Sequence, residues 1–437
     1  MLGFLIGALL GTLFLMLPFS TRQGQSIGFL DSLFVAMSGI CVTGLSTVNI
    51  GQTFSAFGQV ILLLLIQVGG LGIVTFTTIV LCLFRRRITL SDRMLIQSAY
   101  NLDTLSGLVK LTRRVLRVTL FLEGIGAIGY SLVFIPEFGL RGIWYSIFHA
   151  VSAFCNAGID LLGGNSFCGY ADNPLINFTT IFLIIVSGLG FPVYWEILRI
   201  ARPRRTGKGK YVRKLNLQAK IVLLATLFLI LAGALLTLLF EYDNPDTLGT
   251  MSLPEKLMAS LFQSVTLRTA GFATISQEYF RPASCMVYLI LMFIGGSPAG
   301  TAGGVKTVTI VLLLASMLAN IRGKKDVNVM HRKIADDIIR RCVAIVTFSF
   351  SVLIFLTAAL LAVQESDFLD TLYEMTSAIA TVGLSRGLTG DLTPIGKLIV
   401  SLTMYLGRIG PITMALVFNG SAPAGNVSCA ESKVIIG

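Results

Sequence analysis

The chain has 437 residues, of which 54% are hydrophobic and only 13% are charged, and its mean hydropathy is +0.82. Soluble domains carry roughly 45–50% apolar and about 25% charged residues, so this composition excludes an ordinary soluble protein and indicates that lipid is part of the solvent. The net charge of +12 would suit nucleic acid, but its placement along the chain favours another interpretation, and we expect no nucleic-acid partner.

Long apolar stretches recur along the chain, each close to the roughly 20 residues that cross a bilayer as a helix. The first, Leu2 to Leu17, lacks the basic start and the small-residue cleavage site of a signal peptide, so we interpret it as a retained helix. The others are Val60 to Phe84, Val115 to Ile135, Leu175 to Leu198, Ile221 to Phe240, Ile338 to Val363 and Ile395 to Phe418. Together they predict a multi-pass membrane protein.

The basic residues are concentrated in three hydrophilic segments. Phe84 to Arg117, Arg199 to Lys220 and Ile321 to Arg341 carry 8, 9 and 7 Lys plus Arg, which is 24 of the 34 in the chain, against 5 acidic residues. Loops rich in Lys and Arg stay on the cytoplasmic side. We therefore expect these loops and the C-terminus to be cytoplasmic, in a bacterial cytoplasmic membrane. Contact with anionic membrane lipid is a second role that such loops can have.

Four short segments share one motif, which marks an internal repeat. They are LFVAMSGICVTGLS from Leu33, IFHAVSAFCNAGID from Ile147, LFQSVTLRTAGFAT from Leu261 and LYEMTSAIATVGLS from Leu372. Their glycines, Gly44, Gly158, Gly271 and Gly383, are separated by 114, 113 and 112 residues. When the copies are aligned on this glycine, the third needs a shift of one residue to match the start of the others.

Each repeat reads as a spanning helix, an outer polar segment, the motif and a second spanning helix. The motif is too short to span and is predicted to enter and leave from the outside, with Asp31, Pro254 and Asp367 placed to begin short pore helices. The predicted fold class is an all-α integral membrane protein with eight spanning helices. Its four pseudo-symmetric helix, pore-loop and helix repeats, at residues 1–88, 89–215, 216–333 and 334–437, surround one central pore.

The motif glycines suit a cation pore, because glycine adopts the positive φ that turns successive carbonyls toward a common axis. A ring of carbonyl oxygens replaces the hydration shell of a potassium ion. The candidate ion-binding residues are Val42, Thr43, Gly44, Asn156, Ala157, Gly158, Thr269, Ala270, Gly271, Thr381, Val382 and Gly383. Glycines used only for close helix packing are the alternative, but four copies in register favour a filter.

The four motifs, together with GGSPAGTAGGVKTVT from Gly295 to Thr309 and LGRIGP from Leu406 to Pro411, resemble the Trk/Ktr/HKT superfamily of potassium uptake proteins over nearly the whole chain. The strongest resemblance is to the membrane subunits of Ktr systems. It implies that glycine in all four copies favours potassium, whereas a serine in the first marks relatives that pass sodium. It also implies a homodimer with one pore per protomer and a ring of nucleotide-binding cytosolic subunits of the KtrA-like type.

Five glycines and Pro298 fall within the ten residues Gly295 to Gly304, which predicts a break in the second helix of the third repeat. The resemblance implies that this segment is an intramembrane gating loop; a break used only for helix packing is the alternative. The candidate gate residues are Gly295, Gly296, Ser297, Pro298, Ala299, Gly300, Thr301, Ala302, Gly303, Gly304, Lys306 and Arg408.

Ionisable residues inside apolar segments are costly and suggest function. The resemblance makes Arg408 a positive barrier beside the gate, with a structural salt bridge as the alternative, and Lys306 either anchors the loop or reaches the cytoplasmic interface. Arg268 and Glu374 suggest a buried pair that supports the filter. Glu123 either pairs with an arginine or lines a proton path.

Two other function classes compete with the pore. A cation symporter with alternating access, coupled to protons or sodium, is typically built from inverted repeats, whereas all four repeats here have the same charge orientation. An enzyme is disfavoured, since the sequence contains no HExxH, GxSxG or Walker-type segment, and the seven cysteines lack CxxC spacing. We therefore expect channel-like potassium translocation without a covalently bound cofactor, and sodium dependence stays open.

Overall fold

The computed structural model describes residues 2–22, 27–72, 108–201, 205–206, 209–210 and 215–410, and these residues are mostly helical. The α-helices are α1 (Leu2–Leu15), α2 (Phe29–Cys41), α3 (Ile50–Thr53), α4 (Ala56–Leu71), α5 (Leu108–Phe138), α6 (Leu140–Cys155), α7 (Pro174–Gly188), α8 (Phe191–Ala201), α9 (Leu217–Glu241), α10 (Leu253–Thr266), α11 (Pro282–Phe293), α12 (Thr307–Ile321), α13 (Asp336–Val363), α14 (Phe368–Ala380) and α15 (Pro394–Ile409). Short 3-10 helices lie at Pro18–Ser20, Cys168–Tyr170, Gln277–Tyr279 and Leu388–Asp391. Two hairpins pair Arg205–Thr206 with Gly209–Lys210 and Asn328–Val329 with Arg332–Lys333.

Three of the described helices are long and apolar enough to cross a membrane: α5 over Thr112–Phe138, α9 and α13. A fourth candidate consists of α7 and α8 together, which meet at a bend of 93°. The long helices expose large apolar side chains, among them Leu120, Phe121, Ile128 and Leu132 on α5, Leu224, Phe228, Leu231 and Leu235 on α9, and Phe350, Ile354 and Phe355 on α13. Apolar faces of this extent are the surfaces that a membrane protein presents to lipid.

The described residues therefore contain three or four membrane-length helices where the sequence predicts eight spans. Part of the difference lies in the second helices of the second and third predicted repeats. The helix is broken at Leu189–Gly190 in the second repeat, and in the third a loop separates α11 from α12. The predicted spans Val60 to Phe84 and Ile395 to Phe418, most of the first basic loop, much of the second, and the C-terminal segment from Pro411 lie partly or wholly outside the described residues.

The four motif segments begin as the short helices α2, α6, α10 and α14, which are largely buried inside the molecule. The predicted starting residues lie in the first turn or at the cap. Asp367 is the N-cap of α14 and accepts a hydrogen bond from the Leu369 amide at 2.8 Å. Pro254 stands in the first turn of α10 within a Ser252–Glu255 capping box, and Asp31 lies in the first turn of α2.

The short helices are held in a closed ring by the helices around them. Each is flanked by the long or apolar helix that precedes it in the chain: α1 packs on α2, α5 on α6, α9 on α10 and α13 on α14. Each following helix also contacts the next short helix, α4 on α6, α7 on α10 and α11 on α14, and α15 packs on α2. Because the last contact returns to the start of the chain, the arrangement surrounds a common axis.

Candidate functional site

Each short helix is followed by a residue with left-handed backbone conformation, which is the C-cap of α2, α6 and α14 but lies three residues after the end of α10. The motif glycine, which also has positive φ, comes two residues later. The first set is Val42, Asn156, Thr269 and Thr381, with φ of 56°, 59°, 70° and 51°, and the second is Gly44, Gly158, Gly271 and Gly383, with φ of 107°, 63°, 82° and 95°. Three of the first four residues are β-branched, for which this conformation is unusual and strained. The surrounding structure therefore imposes the same loop shape four times.

The four glycines meet one another around the axis. An added Cβ at Gly44 would lie 2.6 Å from the carbonyl oxygen of Ala157, and one at Gly158 would lie 2.7 Å from that of Ala270. In the same way, a Cβ at Gly271 would collide with the carbonyl oxygen of Val382, and one at Gly383 with that of Thr43. Each glycine thus abuts the carbonyl that precedes the next glycine, and the fourth returns to the first. No other residue type fits this ring without displacing backbone.

Hydroxyl groups in the short helices fix the loops, a feature that the sequence analysis missed. Ser38 Oγ accepts a hydrogen bond from the Gly44 amide and Ser377 Oγ accepts one from the Gly383 amide, both at 3.0 Å. Ser152 Oγ bonds both the amide and the carbonyl of Ile159. The signal was present in the aligned motifs, because serine stands six residues before the glycine in three copies.

The third loop differs from the others by one residue. Its hydroxyl comes from Thr266, five residues before Gly271, and donates to the carbonyl of Phe272 at 2.5 Å. The Ala270 amide bonds the carbonyl four residues back, whereas Thr43, Ala157 and Val382 bond the carbonyl five residues back. The shift of one residue in the sequence alignment is therefore a real difference in the length of this loop.

A vestibule of about 790 Å³ opens on one side of the glycine ring and reaches all four glycines. Asp160, Asp246 and Glu278 line it, and no Lys or Arg is among the described residues of its wall. Carboxylates without opposing cations give a cavity a negative potential that concentrates cations. The vestibule therefore suits a cation on its way to the ring.

An ion pair at the outer end of the ring joins the first and last parts of the chain. Lys397 Nζ lies 2.6 Å from Asp31 Oδ1, and the Thr47 hydroxyl donates to the same oxygen at 2.6 Å. Burial alone would raise the pKa of Asp31, but the hydrogen bonds from Lys397 and Thr47 outweigh burial, and the pKa lies below its usual value. The carboxylate is thus stabilised in its charged form.

The segment between α11 and α12 forms a closed loop, which we call the gate loop (Gly295 to Gly304). Its two ends are held together, since the Val305 amide donates to the Phe293 carbonyl at 3.1 Å and the Thr307 amide to that of Gly296 at 3.0 Å. Lys306 Nζ donates to the carbonyl of Ala302 at 2.7 Å. Of the two roles considered for Lys306, the geometry corresponds to anchoring the loop.

The gate loop sits in the break between α7 and α8. The Ser297 amide donates to the Gly188 carbonyl at 3.0 Å, and the Phe191 amide donates to the Ala299 carbonyl at 3.1 Å. Gly190, at φ 84°, leaves room for the loop, because an added Cβ there would collide with the carbonyl oxygen of Pro298. The bend in this helix is therefore the seat of the loop.

The other end of the gate loop touches the residues before the motif glycines. The Gly303 amide donates to Thr269 Oγ1 at 3.1 Å, and an added Cβ at Gly303 would lie 2.6 Å from the Ala380 carbonyl oxygen. Asn156 Nδ2 donates to Thr301 Oγ1 at 3.2 Å. The gate loop thus contacts the residues before the motif glycines, whereas the vestibule is lined by the glycines and the residues that follow them.

Arg408 lies beside the gate loop, where the sequence placed it. Its Nη1 donates to the Thr301 carbonyl at 2.8 Å, and its Nη2 donates to the carbonyls of Gly69 and Gly70 in α4. Among the described residues no carboxylate lies within ion-pair distance of Arg408. The guanidinium is a partly buried positive charge held by backbone carbonyls, which disfavours the salt-bridge alternative.

The suggested pair of Arg268 and Glu374 is not formed. Glu374 accepts hydrogen bonds from the hydroxyls of Ser385, at 2.6 Å, and Thr389, while Arg268 Nη2 reaches Thr226 Oγ1 at 3.5 Å. The carboxylate is satisfied by hydroxyls from the segment that follows its own short helix, so it needs no cation. The suggestion was wrong because a position near the filter in the sequence does not show in which direction the side chain points.

Glu123 forms no ion pair with an arginine among the described residues. Its Oε2 accepts a hydrogen bond from Gln67 Nε2 at 3.4 Å. Its other oxygen is buried without a hydrogen-bond partner. Glu196 pairs with Arg199 at 2.6 Å and accepts from the Asn216 amide at 3.0 Å, so it serves as a local structural contact.

Apolar outer helices around four inward backbone loops define a helical membrane protein of the ion-transporting class. The chain matches the family model TrkH, described as cation transport protein, over residues 9–429. It therefore belongs to the TrkH family of cation transport proteins, a family of transporters and not of enzymes.

Relatives cover the whole chain. The Ktr system potassium uptake protein B of Bacillus subtilis (strain 168) is 36% identical over 437 residues, which are 100% of this chain and 95% of that protein. The potassium/sodium uptake protein NtpJ of Enterococcus hirae is 37% identical over 442 residues, covering 100% of this chain and 96% of that protein. The crystal structure of the potassium transporter TrkH from Vibrio parahaemolyticus matches with a TM-score of 0.73 at 18% identity, covering 96% of this chain and 85% of that chain, which supports the fold.

Proposed function

We propose that this chain is the potassium-translocating membrane subunit of a potassium uptake system. The observation that carries the proposal is the ring of four glycines, in which each glycine abuts the carbonyl preceding the next. Both relatives named above are uptake proteins for potassium, one of them also for sodium. Potassium is the substrate.

In this proposal the twelve residues of the four loops form the selectivity filter. A cation is concentrated in the acidic vestibule and loses its water to backbone carbonyls in the ring. Glycine is required because a side chain would displace the neighbouring carbonyl, and the hydroxyls of the short helices hold the loops in shape. Selectivity then resides in backbone positions and not in charged side chains.

The four loops belong to four repeats with the boundaries 1–88, 89–215, 216–333 and 334–437, and the chain crosses the membrane eight times in this proposal. The closed order of contacts between helices supports the repeats. The broken second helices each make one crossing, because non-helical backbone is tolerated at membrane depth when it is buried in protein or lines a cavity. The basic loops and the C-terminus are then cytoplasmic.

The gate loop, with Lys306 and Arg408, closes the pore below the filter. Hydrogen bonds to three neighbouring segments give the loop a defined closed position. Opening therefore requires a regulatory protein outside the membrane that releases the loop. We assign that role to a ring of nucleotide-binding cytosolic subunits of the KtrA-like type, acting on a homodimer of this chain. The word "system" in the name of the Bacillus subtilis relative is consistent with such a partner.

A symporter with alternating access is the competing mechanism. It needs a substrate site that faces each side in turn. The ring here is built from four loops that all approach from the same side, each following a short helix, and the gate loop alone lies on the other side. This arrangement favours a fixed filter with a movable gate.

The proposal is tested by uptake of potassium and of sodium in a bacterial cell that lacks its own potassium transporters, with and without a cytosolic partner. We expect uptake of potassium in preference to sodium, and a higher rate with the partner. Uptake that saturates and depends on an inward proton gradient in the absence of the partner would instead support the symporter.

A further inference from the structure

One side chain of the second filter loop connects the filter to the gate loop. Asn156 is buried and donates from Nδ2 to Thr301 Oγ1 at 3.2 Å, while its Oδ1 accepts from Ser187 Oγ at 3.2 Å. Thr301 Oγ1 in turn donates to the Phe154 carbonyl at 3.2 Å, just before Asn156 in the chain. The amide therefore joins the filter, the gate loop and the end of α7.

The equivalent positions in the other loops bond no side chain of the gate loop. Val42 has no polar side-chain atom, Thr269 Oγ1 accepts from the Gly303 amide, and Thr381 Oγ1 is buried without a hydrogen-bond partner. Asparagine tolerates the left-handed conformation at this site, so backbone preference alone is the simpler explanation of Asn156. Backbone preference alone does not account for the hydrogen bond to Thr301, which lies 145 residues further along the chain.

We propose that Asn156 is a positioning residue that couples the gate loop to the selectivity filter, so that ion preference changes when the loop is released. The inference rests on the proposed function. When Thr301 withdraws, the buried amide of Asn156 loses its acceptor, and an unpaired buried polar group is costly. The second filter loop then relaxes to another position, and the carbonyls beside Gly158 move with it. Thr269 transmits the same event to the third loop.

The test is a double-mutant cycle between Asn156 and Thr301 on the full-length chain in proteoliposomes, with potassium and sodium flux as the two readouts. Asn156→Gly keeps the left-handed backbone and removes the amide, and Thr301→Val removes the hydroxyl. We expect each to raise basal flux and to lower the potassium-to-sodium flux ratio roughly two- to tenfold, the range expected for one neutral hydrogen bond. The double variant should match the larger single effect, because both changes break the same contact.

Thr301→Ser retains the hydroxyl and should restore the flux ratio of the unmodified chain. If the glycine variant fails to fold, Thr301→Val alone carries the test, because it breaks the same contact from the gate-loop side. Effects of the single variants that multiply in the double variant would overturn the proposal. So would an Asn156→Gly protein indistinguishable from the unmodified chain.

Gly44→Ser, measured in parallel, separates this inference from the proposed function. If Gly44→Ser lowers the flux ratio while the Asn156 variants do not, the assignment of the selectivity filter is supported and the coupling through Asn156 is wrong. If Gly44→Ser leaves the ratio unchanged, the assignment of the selectivity filter is wrong, and so is the coupling that depends on it.

Discussion

The left-handed residues before the motif glycines show how the filter loops are maintained. Val42, Thr269 and Thr381 adopt φ between 51° and 70°, a conformation that costs on the order of 1–3 kcal/mol for such residues. The surrounding helices and the hydroxyls of Ser38 and Ser377 keep the loops in that shape. Strain of this kind is concentrated where function requires a particular backbone position.

Arg408 holds the gate loop through hydrogen bonds as well as through charge. Its guanidinium reaches the carbonyls of Thr301 and Gly69, which lie on different elements. Arginine presents donors in a fixed planar fork, whereas lysine offers a single flexible point charge. The two residue types are therefore not equivalent at this site.

Replacing Arg408 by lysine separates the effect of its hydrogen bonds to two elements from the effect of its positive charge. We expect Arg408→Lys and Arg408→Gln both to raise basal potassium flux, by roughly tenfold, since hydrogen bonds to charged groups are worth about 1.5–3 kcal/mol. The measurement is flux into proteoliposomes without a cytosolic partner. Arg341→Lys, on an exposed side chain, is the control. Flux of Arg408→Lys equal to that of the unmodified chain would reduce Arg408 to an electrostatic barrier.

At the scale of single residues, the sequence identified the positions that repeat, but not the residues that they contact. The four glycines and Arg408 stood out because of spacing and of charge in an apolar segment. The contact of Asn156 with Thr301 joins residues 145 positions apart, and nothing local in either segment encodes it. The wrong pairing of Arg268 with Glu374 has the same origin, because hydroxyls of Ser385 and Thr389 satisfy the carboxylate.

Among the elements, the broken helices explain how a loop is accommodated at membrane depth. The break between α7 and α8 donates and accepts backbone hydrogen bonds that the gate loop would otherwise lack. Sequence alone predicted the break in the third repeat from its glycines and Pro298. In the second repeat the gate loop bonds to both sides of the 93° bend, through Gly188 and Phe191.

Substitutions at two nearby glycines test whether the gate loop is held in the bend between α7 and α8. An added Cβ at Gly190 would collide with the Pro298 carbonyl oxygen, whereas one at Gly188 would meet nothing within 4 Å. We expect Gly190→Ala to displace the gate loop and to raise partner-independent flux severalfold, and Gly188→Ala to leave it unchanged. The readout is the ratio of flux without partner to flux with partner. Equal ratios in the two variants would show that the loop does not use this seat.

At the scale of the whole molecule, the contacts close a ring, and Asp31 with Lys397 joins its first and last members. Because the pKa of Asp31 is lowered in the folded chain, the pair contributes stability that is complete above the unfolded pKa. That contribution is lost as the pH falls through the folded pKa. The contribution is small, about 1 kcal/mol or less, because the pair is partly exposed.

We therefore expect Asp31→Asn to lower the melting temperature in detergent at pH 7. The difference from the unmodified chain should shrink as the pH falls below about 4 and vanish below the lowered folded pKa of Asp31. Asp337→Asn removes a more exposed pair with Arg341, at 3.8 Å, and should have no measurable effect at either pH. A difference for Asp31→Asn that persists in acid would mean that the residue acts by packing and not by charge.

The four motif segments could be located from the sequence because the motif recurs at nearly constant spacing, and the division into four repeats built on them stays a prediction. The closure of the ring could not, since it depends on α15 packing on α2 across the length of the chain. The number of membrane-length helices among the described residues differed in part because breaks divide the second helices of the second and third predicted repeats, which a count of apolar residues does not register.

The most direct measurement is the potassium-to-sodium flux ratio of the four variants Gly44→Ser, Gly158→Ser, Gly271→Ser and Gly383→Ser, each compared with Gly169→Ser. Gly169 is the matched control, because an added Cβ there meets nothing within 4 Å. We predict that all four ring variants lose selectivity by about tenfold or more, which corresponds to ~1.4 kcal/mol of differential binding, while Gly169→Ser keeps it. Unchanged selectivity in the four ring variants would contradict a filter built from these loops.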